Sequence, residues 1–246
     1  LQFTMFKIMR ADNDGKALDA LDKAIALETV PARRFSWIDQ MLPLAQVEGR
    51  ADLVKKHLGL LSKMVTTPPQ QLAVAKRMLK FKLPKLAFEL LNRKLKSAPA
   101  PETMVGIQLA LAKTEAELGK KKDAAKRLDD LLGKLTADYW QRNDILQRRL
   151  ALVEDSKERE AMIASAKDQV KKKPTNEAAV LDLARLMIGL QRRREALDEL
   201  LASSKRLPKS VAIEKQILDL LDRLHDEHGR VKYLAERVKA QPERQD

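Results

Sequence analysis

The sequence contains no cysteine, and aromatic side chains make up only 4% of its 246 residues. The lack of cysteine excludes disulfide bonds, cysteine nucleophiles and thiolate metal sites, and it suits the cytosol and the periplasm equally. No apolar run approaches the ~18 residues that a membrane span requires, and no signal peptide is visible. Because the chain begins with Leu1 rather than Met, we expect it to be a segment of a longer protein.

Strand patterns are also missing, since β-branched and aromatic residues nowhere alternate with polar ones. The residues that dominate instead are Ala, Leu, Lys, Arg, Glu and Gln, all of which favour helices. Hydrophobic residues make up 44% of the chain, enough for a continuous core. The sequence therefore predicts an all-α protein.

Groups that could carry catalysis are scarce. The chain has three His, no Cys and no glycine-rich phosphate loop, so we expect neither an enzyme active site nor a cofactor. His225 and His228 could form half of a metal site, but no third ligand is evident and solvated loop residues are the favoured interpretation. Asp12–Gly15 looks like the start of a calcium loop. Arg10 and Leu21 occupy its first and last ligand positions, which favours a polar turn.

A period of about 34 residues runs through the chain. Pro174, Pro208 and Pro242 lie 34 residues apart, and each follows an amphipathic helical pattern. A second series of turns, spaced by 34 to 38 residues, divides each repeat into two helices, because Gly and Pro end helices. These turns are Gly15-Lys16, Gly49-Arg50, Leu83-Pro84, Gly119-Lys120, Asp155-Ser156, Gln191-Arg192 and Gly229-Arg230.

The period predicts seven αα-hairpins, each of which needs its neighbours to bury its apolar stripe. We expect one domain spanning residues 1–246 that contains all seven. The approximate repeats are 1–31, 32–67, 68–99, 100–137, 138–174, 175–208 and 209–246.

The repeat from Glu177 to Pro208 carries a large residue at Leu183, followed by the small Ala184, and a second small residue at Ala196. In this pattern the chain resembles the tetratricopeptide repeat (TPR) family over nearly its whole length. The early Trp, the Leu-Gly pair and the Tyr of that family are mostly replaced, and Arg230 replaces the small residue in the last repeat. The resemblance implies a right-handed α-solenoid that acts as a protein-interaction scaffold.

In such a solenoid the first helix of each hairpin lines a concave groove, which holds a partner segment. By this resemblance, the residues that face the groove in the last three repeats share a polar or charged character. They are Gln147, Arg185, Lys215, Asp219 and Asp222. Their mixed signs suggest a polar or mixed-charge ligand there.

The net charge of +13 is concentrated in the middle of the chain. Residues 67–98 hold eight basic side chains and a single acid, Glu89. Lys76 and Lys80 lie four residues apart on one helix face, and Lys82 follows them. A basic inner surface would attract an acidic protein segment or a polyanion such as RNA. The alternatives are a solvated cationic face and a purely structural solenoid arm of a larger protein.

The remaining features concern helix ends and apolar residues. The triplets at 120–122, 171–173 and 192–194 are basic, as helix C-termini favour. Trp37 and the Tyr139-Trp140 pair are expected to pack in the core. Phe3, Met5, Phe6, Ile8 and Met9 crowd the first segment, which predicts either preceding repeats or self-association through that helix.

Overall fold

A computed structural model of the chain describes residues 16–93, 97–136 and 138–240. Within these ranges every regular element is an α-helix, which confirms the all-α prediction, and no strand is present. The helices are α1 Ala17–Leu27, α2 Pro31–Val47, α3 Ala51–Met64, α4 Pro68–Lys80, α5 Pro84–Asn92, α6 Pro101–Glu117, α7 Lys121–Leu132, α8 Arg142–Ala151, α9 Ser156–Lys172, α10 Glu177–Gly189, α11 Arg193–Ser204, α12 Val211–Arg223 and α13 Glu227–Ala240. We call α2, α4, α6, α8, α10 and α12 the first helices, and the other seven the second helices.

The helices begin where the sequence supplies a start signal. Four of them begin with proline, which suits this position because the first N–H groups of a helix have no acceptor within the helix and proline has no N–H. These residues are Pro31, Pro68, Pro84 and Pro101. Two later first helices have side-chain caps instead. Asn176 accepts a hydrogen bond from the N–H of Ala179 at 3.2 Å, and Ser210 accepts one from Ile213 at 3.1 Å. Each cap satisfies one of the free backbone donors of its helix.

Five first helices end in the same way. The second residue after each of them has a left-handed backbone, with φ between 53° and 79°: Gly49, Lys82, Gly119, Gln191 and His225. The following N–H then returns to a carbonyl five residues earlier, as from Arg50 to Ala45 and from Arg192 to Met187, both at 2.8 Å. This hydrogen bond closes the helix and starts the turn.

The predicted turn series is confirmed at five positions, from Gly49-Arg50 to Gln191-Arg192. The last prediction, Gly229-Arg230, is wrong, because both residues lie within α13. The turn is at His225, and the Asp226 side chain accepts a hydrogen bond from the N–H of Gly229 at 2.9 Å. That cap starts α13 before Gly229, so the glycine is helical. Gly15 lies outside the described residues.

The helices divide into two compact units, with a boundary between Ala124 and Ala125 that falls within α7. In the first unit, contacts join consecutive helices from α1 to α6, and α4 also contacts α6. In the second unit, contacts join consecutive helices from α9 to α13, and the first helices α8, α10 and α12 contact one another in order. Contacts between helix neighbours are typical of a helical repeat.

Glycines allow some first helices to approach closely. A Cβ added to Gly106 in α6 would lie 2.6 Å from the Cδ2 atom of Leu72 in α4. A Cβ on Gly189 in α10 would lie 2.6 Å from the Cδ1 atom of Leu150 in α8. Since real side chains never approach so closely, the missing Cβ lets the neighbouring leucine fill the space.

Each unit has its own hydrophobic core. Leu183, Ala184, Ala196 and Leu200, the residues that suggested the repeat pattern, are all buried in the second core. Trp37 packs against the first core, as expected. Trp140 does not pack in a core, because it lies in the loop before α8 and its side chain is 75% exposed. Tyr139 beside it is half-buried.

Two predictions concern residues that the structure does not describe. They are the calcium-like segment Asp12–Gly15 and the apolar segment from Phe3 to Met9. Among the described helices, none combines the length and apolarity needed to cross a membrane.

Candidate partner-binding surfaces on the first helices

Helix α4 presents a basic face to solvent. Lys76 and Lys80 are exposed, one helical turn apart. The opposite face of α4 is buried in the first core through Val74, Ala75, Met78 and Leu79. The helical period therefore places both lysines on one solvent-facing side of α4.

The charges on this face are not neutralised within the described part of the protein. Lys76, Lys80 and Lys82 form no ion pair with any described residue. Arg77 on the same helix differs, because its Nη2 atom donates to Oδ2 of Asp39 at 2.8 Å and its guanidinium lies 5.2 Å from the ring centroid of Phe35. Arg77 thus joins α4 to α2, whereas the three lysines stay available to an anion.

Lys80 and Lys82 border a shallow pocket of about 180 Å³. The pocket lies between the ends of α2 and α4, and Gln46 and Gly49 form part of its wall. Lys82 reaches it from the left-handed turn position after α4, with φ of 59°. The structure therefore brings Lys80 and Lys82 to one pocket. Lys76 lies one helical turn before Lys80 in α4.

Two further basic residues of the first unit, Arg93 and Lys120, contact other parts of the fold, whereas Lys85 is exposed and forms no ion pair with a described residue. The Nη2 atom of Arg93 donates to the carbonyl oxygen of Val65 at 3.0 Å. Lys120 lies over the ring of Phe88, 5.3 Å from its centroid. Lys94 and Lys96 lie outside the described residues. The candidate binding residues that the sequence predicts here are Lys76, Lys80 and Lys82, and we call them the basic face.

The groove candidates of the second unit are mostly engaged with neighbours. Asp219 pairs with Arg223 at 2.9 Å, and Asp222 pairs with Arg230 of α13 at 2.9 Å. Lys215 is exposed and has no ion pair among the described residues. Internal pairing leaves Asp219 and Asp222 less suited to hold a partner than Lys215.

Two further candidates contact α10. Gln147 is exposed, and its side chain lies against Gly189, with Nε2 3.0 Å from the position of an added Cβ. Arg185 is largely buried, and its Nη1 lies 3.6 Å from Oδ1 of Asp182. Burial lowers the pKa of the Arg185 guanidinium, Asp182 raises it and the nearby Arg142 lowers it. Arg185 therefore belongs to a cluster of charges between α8 and α10.

The centre of that cluster is Arg142, which the sequence did not single out. Its side chain is buried, and its Nε and Nη2 atoms donate to the two carboxylate oxygens of Asp182. Its Nη1 donates to the carbonyl oxygens of Leu132 at 2.9 Å and of Leu135 at 2.6 Å. Arg142 thus ties the end of α7 to α10. Its hydrogen bonds to the protein are all made, which indicates a structural role.

The two histidines considered as half of a metal site flank the start of α13. His225 and His228 are exposed. In the three described ranges, no group of three or more His, Asp or Glu side chains is placed to hold a metal ion. His57 is buried beside Asp22, with Nε2 and Oδ1 2.7 Å apart.

No family model matches the sequence, and no curated protein shows a significant match to it.

Proposed function

We propose that this chain is a protein-interaction scaffold, a TPR-like right-handed solenoid of about seven hairpins. Its first helices would bind an acidic segment of another protein along the basic face. The observation that carries the proposal is that Lys76, Lys80 and Lys82 are exposed and lack ion pairs among the described residues. Uncompensated charge on a first helix is where a solenoid would engage a partner.

The arrangement of the first helices supports this interpretation. Direct contacts join α4 to α6 in the first unit, and α8 to α10 to α12 in the second. Helices packed in such a row leave one face open to an extended partner segment, whose side chains would meet residues at helical spacing. The repeated left-handed turn gives five of the first helices the same ending.

Small and polar residues on the first helices α2 and α4 suit a peptide ligand. On α2, Ser36 and Gln40 are exposed at the spacing of one helix face. Amide and hydroxyl groups both donate and accept hydrogen bonds, so they can pair with a peptide backbone while the lysines pair with carboxylates. On α4, Ala73 is exposed on the same face as Lys76 and Lys80, and its small side chain leaves room for a partner backbone to approach.

The aromatic residues favour a protein partner over RNA. Single-stranded nucleic acids are held by bases stacked on exposed aromatic rings as well as by charge. In the first unit, the described aromatic side chains are all at least half-buried and pack against its core: Phe35, Trp37, Phe81 and Phe88. Of the four, Phe81 lines the pocket that Lys80 and Lys82 border, and this one half-buried ring offers little surface for stacking.

The test compares two charge reversals of equal size. One variant carries Lys76→Glu, Lys80→Glu and Lys82→Glu, and the control carries Lys171→Glu, Lys172→Glu and Lys173→Glu at the end of α9. A labelled glutamate-rich peptide and a uridine oligonucleotide are titrated at two salt concentrations. We expect the basic-face variant to bind the peptide at least ~10-fold more weakly than wild type, because three attractive charges become repulsive.

The control variant should retain most of the affinity, and the melting temperature of each variant should stay near that of the wild type, since the substituted lysines lie at the surface. If the oligonucleotide instead binds the wild type more tightly than the peptide does, and loses affinity by the same factor in the basic-face variant, the partner is a polyanion such as RNA rather than an acidic protein segment. Equal losses in both variants would indicate only nonspecific attraction. If neither probe responds to the basic-face reversal, those lysines are a solvated face and the proposal fails.

A further inference from the structure

The shallow pocket between the ends of α2 and α4 is open to solvent, and we call it the turn pocket. Exposed residues form its rim: Gln46, Gly49 and Ala51 on one side, and Lys80 and Lys82 on the other. A Cβ added to Gly49 would have no described atom within 4 Å apart from those of its chain neighbours, so nothing else covers this part of the rim. A side chain from outside can therefore enter the pocket.

The lining of the turn pocket is largely apolar. Phe81 and Leu83 are half-buried and keep part of their surface open, and the buried Val54 of α3 also contributes. The only charged groups in the lining are Lys80 and Lys82. The volume is about 180 Å³, and an apolar cavity of about 150 Å³ holds a benzene ring. The turn pocket therefore has room for one large apolar side chain, up to the size of an aromatic ring.

The next repeat fills the corresponding place with a ring of its own. Phe88 in α5 follows the left-handed Lys82 by six residues, and Lys120, at the turn after α6, lies over its ring, 5.3 Å from the centroid. The turn pocket has the equivalent position between α3 and the turn after α4. There the residue that follows the left-handed Gly49 by six is Lys55, which is exposed. Where α5 supplies an aromatic ring, α3 thus supplies a lysine.

The charges at the rim favour an aromatic occupant with acidic neighbours. Lys80 and Lys82 form no ion pair with any described residue. A cation close to an aromatic ring is attracted to its face, as the pair of Lys120 and Phe88 illustrates. Carboxylates on either side of an inserted ring would pair with the same lysines. An aliphatic side chain would gain the apolar contacts without the attraction between cation and ring.

We propose that the turn pocket takes up an aromatic side chain of the partner segment, while acidic residues next to that side chain pair with Lys80 and Lys82. This inference rests on the proposed function and narrows it. Charge alone would select any glutamate-rich segment, whereas the pocket selects a segment in which an aromatic residue interrupts the run of carboxylates.

The test uses three labelled peptides of equal charge, in which three glutamates precede and three follow a central Phe, Leu or Ala. Each peptide is titrated into the full chain. We expect the Phe peptide to bind at least ~10-fold more tightly than the Ala peptide, because the ring adds buried apolar contact. The Leu peptide should bind more weakly than the Phe peptide, because it lacks the attraction between cation and ring.

A pair of matched variants locates the effect. Ala51→Trp places a large side chain on the rim of the pocket without changing any charge. It should reduce the affinity for the Phe peptide to that for the Ala peptide, and leave the affinity for the Ala peptide unchanged. Ala202→Trp is the control, because Ala202 is exposed on α11 and does not line the pocket. It should leave both affinities unchanged.

A direct measurement on the wild type depends on no variant. Isotope-filtered NMR spectra of the saturated complex should show nuclear Overhauser effects between the ring protons of the Phe peptide and the methyl groups of Ala51 and Leu83. Both residues line the pocket and have exposed surface.

Four results would overturn the inference. They are equal affinity of the wild type for the Phe peptide and either other peptide, an advantage of the Phe peptide that persists in folded Ala51→Trp, the absence of the Overhauser effects at saturation, and tighter binding of a uridine oligonucleotide at the same methyl groups. The proposed function is measured separately, by the loss of affinity for the Ala peptide when Lys76, Lys80 and Lys82 are reversed. Failure of the pocket therefore does not hide the result for the basic face.

Discussion

Lys82 adopts the same left-handed backbone conformation as Gly49, with φ of 59° against 68°, at the turn that ends the next first helix. A residue with a Cβ pays about 1–2 kcal/mol for this conformation, whereas glycine does not. Lys82 is thus a strained residue, and it borders the shallow pocket between the ends of α2 and α4. Under the proposed function, the side chain of Lys82 has a use that glycine could not replace.

The left-handed turns predict opposite effects of two simple substitutions. Gln191→Gly should stabilise the fold by about 1 kcal/mol, because it relieves the strain at φ of 65°. Gly119→Ala should destabilise it by a similar amount, since φ there is 79°. Urea unfolding of both variants checks this. Equal stability in all three proteins would contradict the strain argument.

By the same reasoning, Lys82→Gly should stabilise the fold but weaken binding of an acidic peptide. Its unfolding free energy should rise by about 1 kcal/mol, as for Gln191→Gly. Its affinity for a glutamate-rich peptide should fall, because one lysine of the basic face is lost. A stabilised variant with wild-type affinity would show that Lys82 takes no part in binding.

The buried pair of His57 and Asp22 predicts a pH dependence. Burial lowers the pKa of His57, although Asp22 opposes this. The native state therefore holds His57 neutral, while the unfolded chain takes up a proton near pH 6.5. Stability should be full above about pH 6.5 and decline as the pH falls towards the lowered native pKa.

The substitution that tests this is His57→Gln, with His228→Gln as its control because His228 is exposed. Removing His57 should flatten the pH dependence of the unfolding free energy below about pH 6.5, whereas removing His228 should not. Asp22 acts at lower pH. Burial would raise its pKa, but hydrogen bonds from Lys56 and His57 hold it below its usual value. Its contribution is lost only as the pH falls below about 3.9.

Arg142 and Asp182 predict a strong coupling between α8 and α10. Arg142→Met should cost about 3 kcal/mol, because Asp182 and the carbonyls of Leu132 and Leu135 lose their donor. Asp182→Leu should also be destabilising, since it leaves the guanidinium buried without its anion. The double variant should be less unstable than the sum of the two. A double-mutant cycle by urea unfolding measures this, and additive effects would exclude the coupling.

The small residue early in α11 gives a packing prediction. Ala196 follows the left-handed Gln191 by five residues and is fully buried. Ala196→Arg should destabilise the chain by about 2–4 kcal/mol, by overpacking and by burying a charge. Arg230 follows His225 by the same interval but is exposed, so Arg230→Ala should change stability by less than about 1 kcal/mol. Thermal melting of both variants shows which of the two positions is buried and which is exposed.

Local signals in the sequence explain how much of the fold could be predicted. Pro31 and Pro101 mark helix starts, and Gly49 and Gly119 mark helix ends, because these residues restrict the backbone in known ways. His225 gave no such signal, since a residue other than glycine seldom adopts a left-handed conformation. The sequence therefore predicts the last turn four residues too late, at Gly229.

The candidate sites show a similar division. The exposure of Lys76 and Lys80 follows from helix phase, which the sequence contains. The burial of Arg142 depends on Asp182, 40 residues away, and that of Arg149 depends on Asp129, 20 residues away. From sequence alone, an arginine in a polar stretch is expected at the surface, because its buried partner is not known before the fold is known. The burial of both arginines is thus recognised only in the folded chain.

The neighbour-to-neighbour contacts of the helices also bear on how the chain folds as it leaves the ribosome. Since α4 packs against α3, α5 and α6, its contacts span short stretches of sequence, and the entropy lost in closing each loop is small. A hairpin can therefore form as soon as its second helix has been synthesised. During synthesis, only the most recently formed hairpin has an apolar stripe that no neighbour covers yet. The incomplete chain therefore exposes little apolar surface at any time, which limits its aggregation.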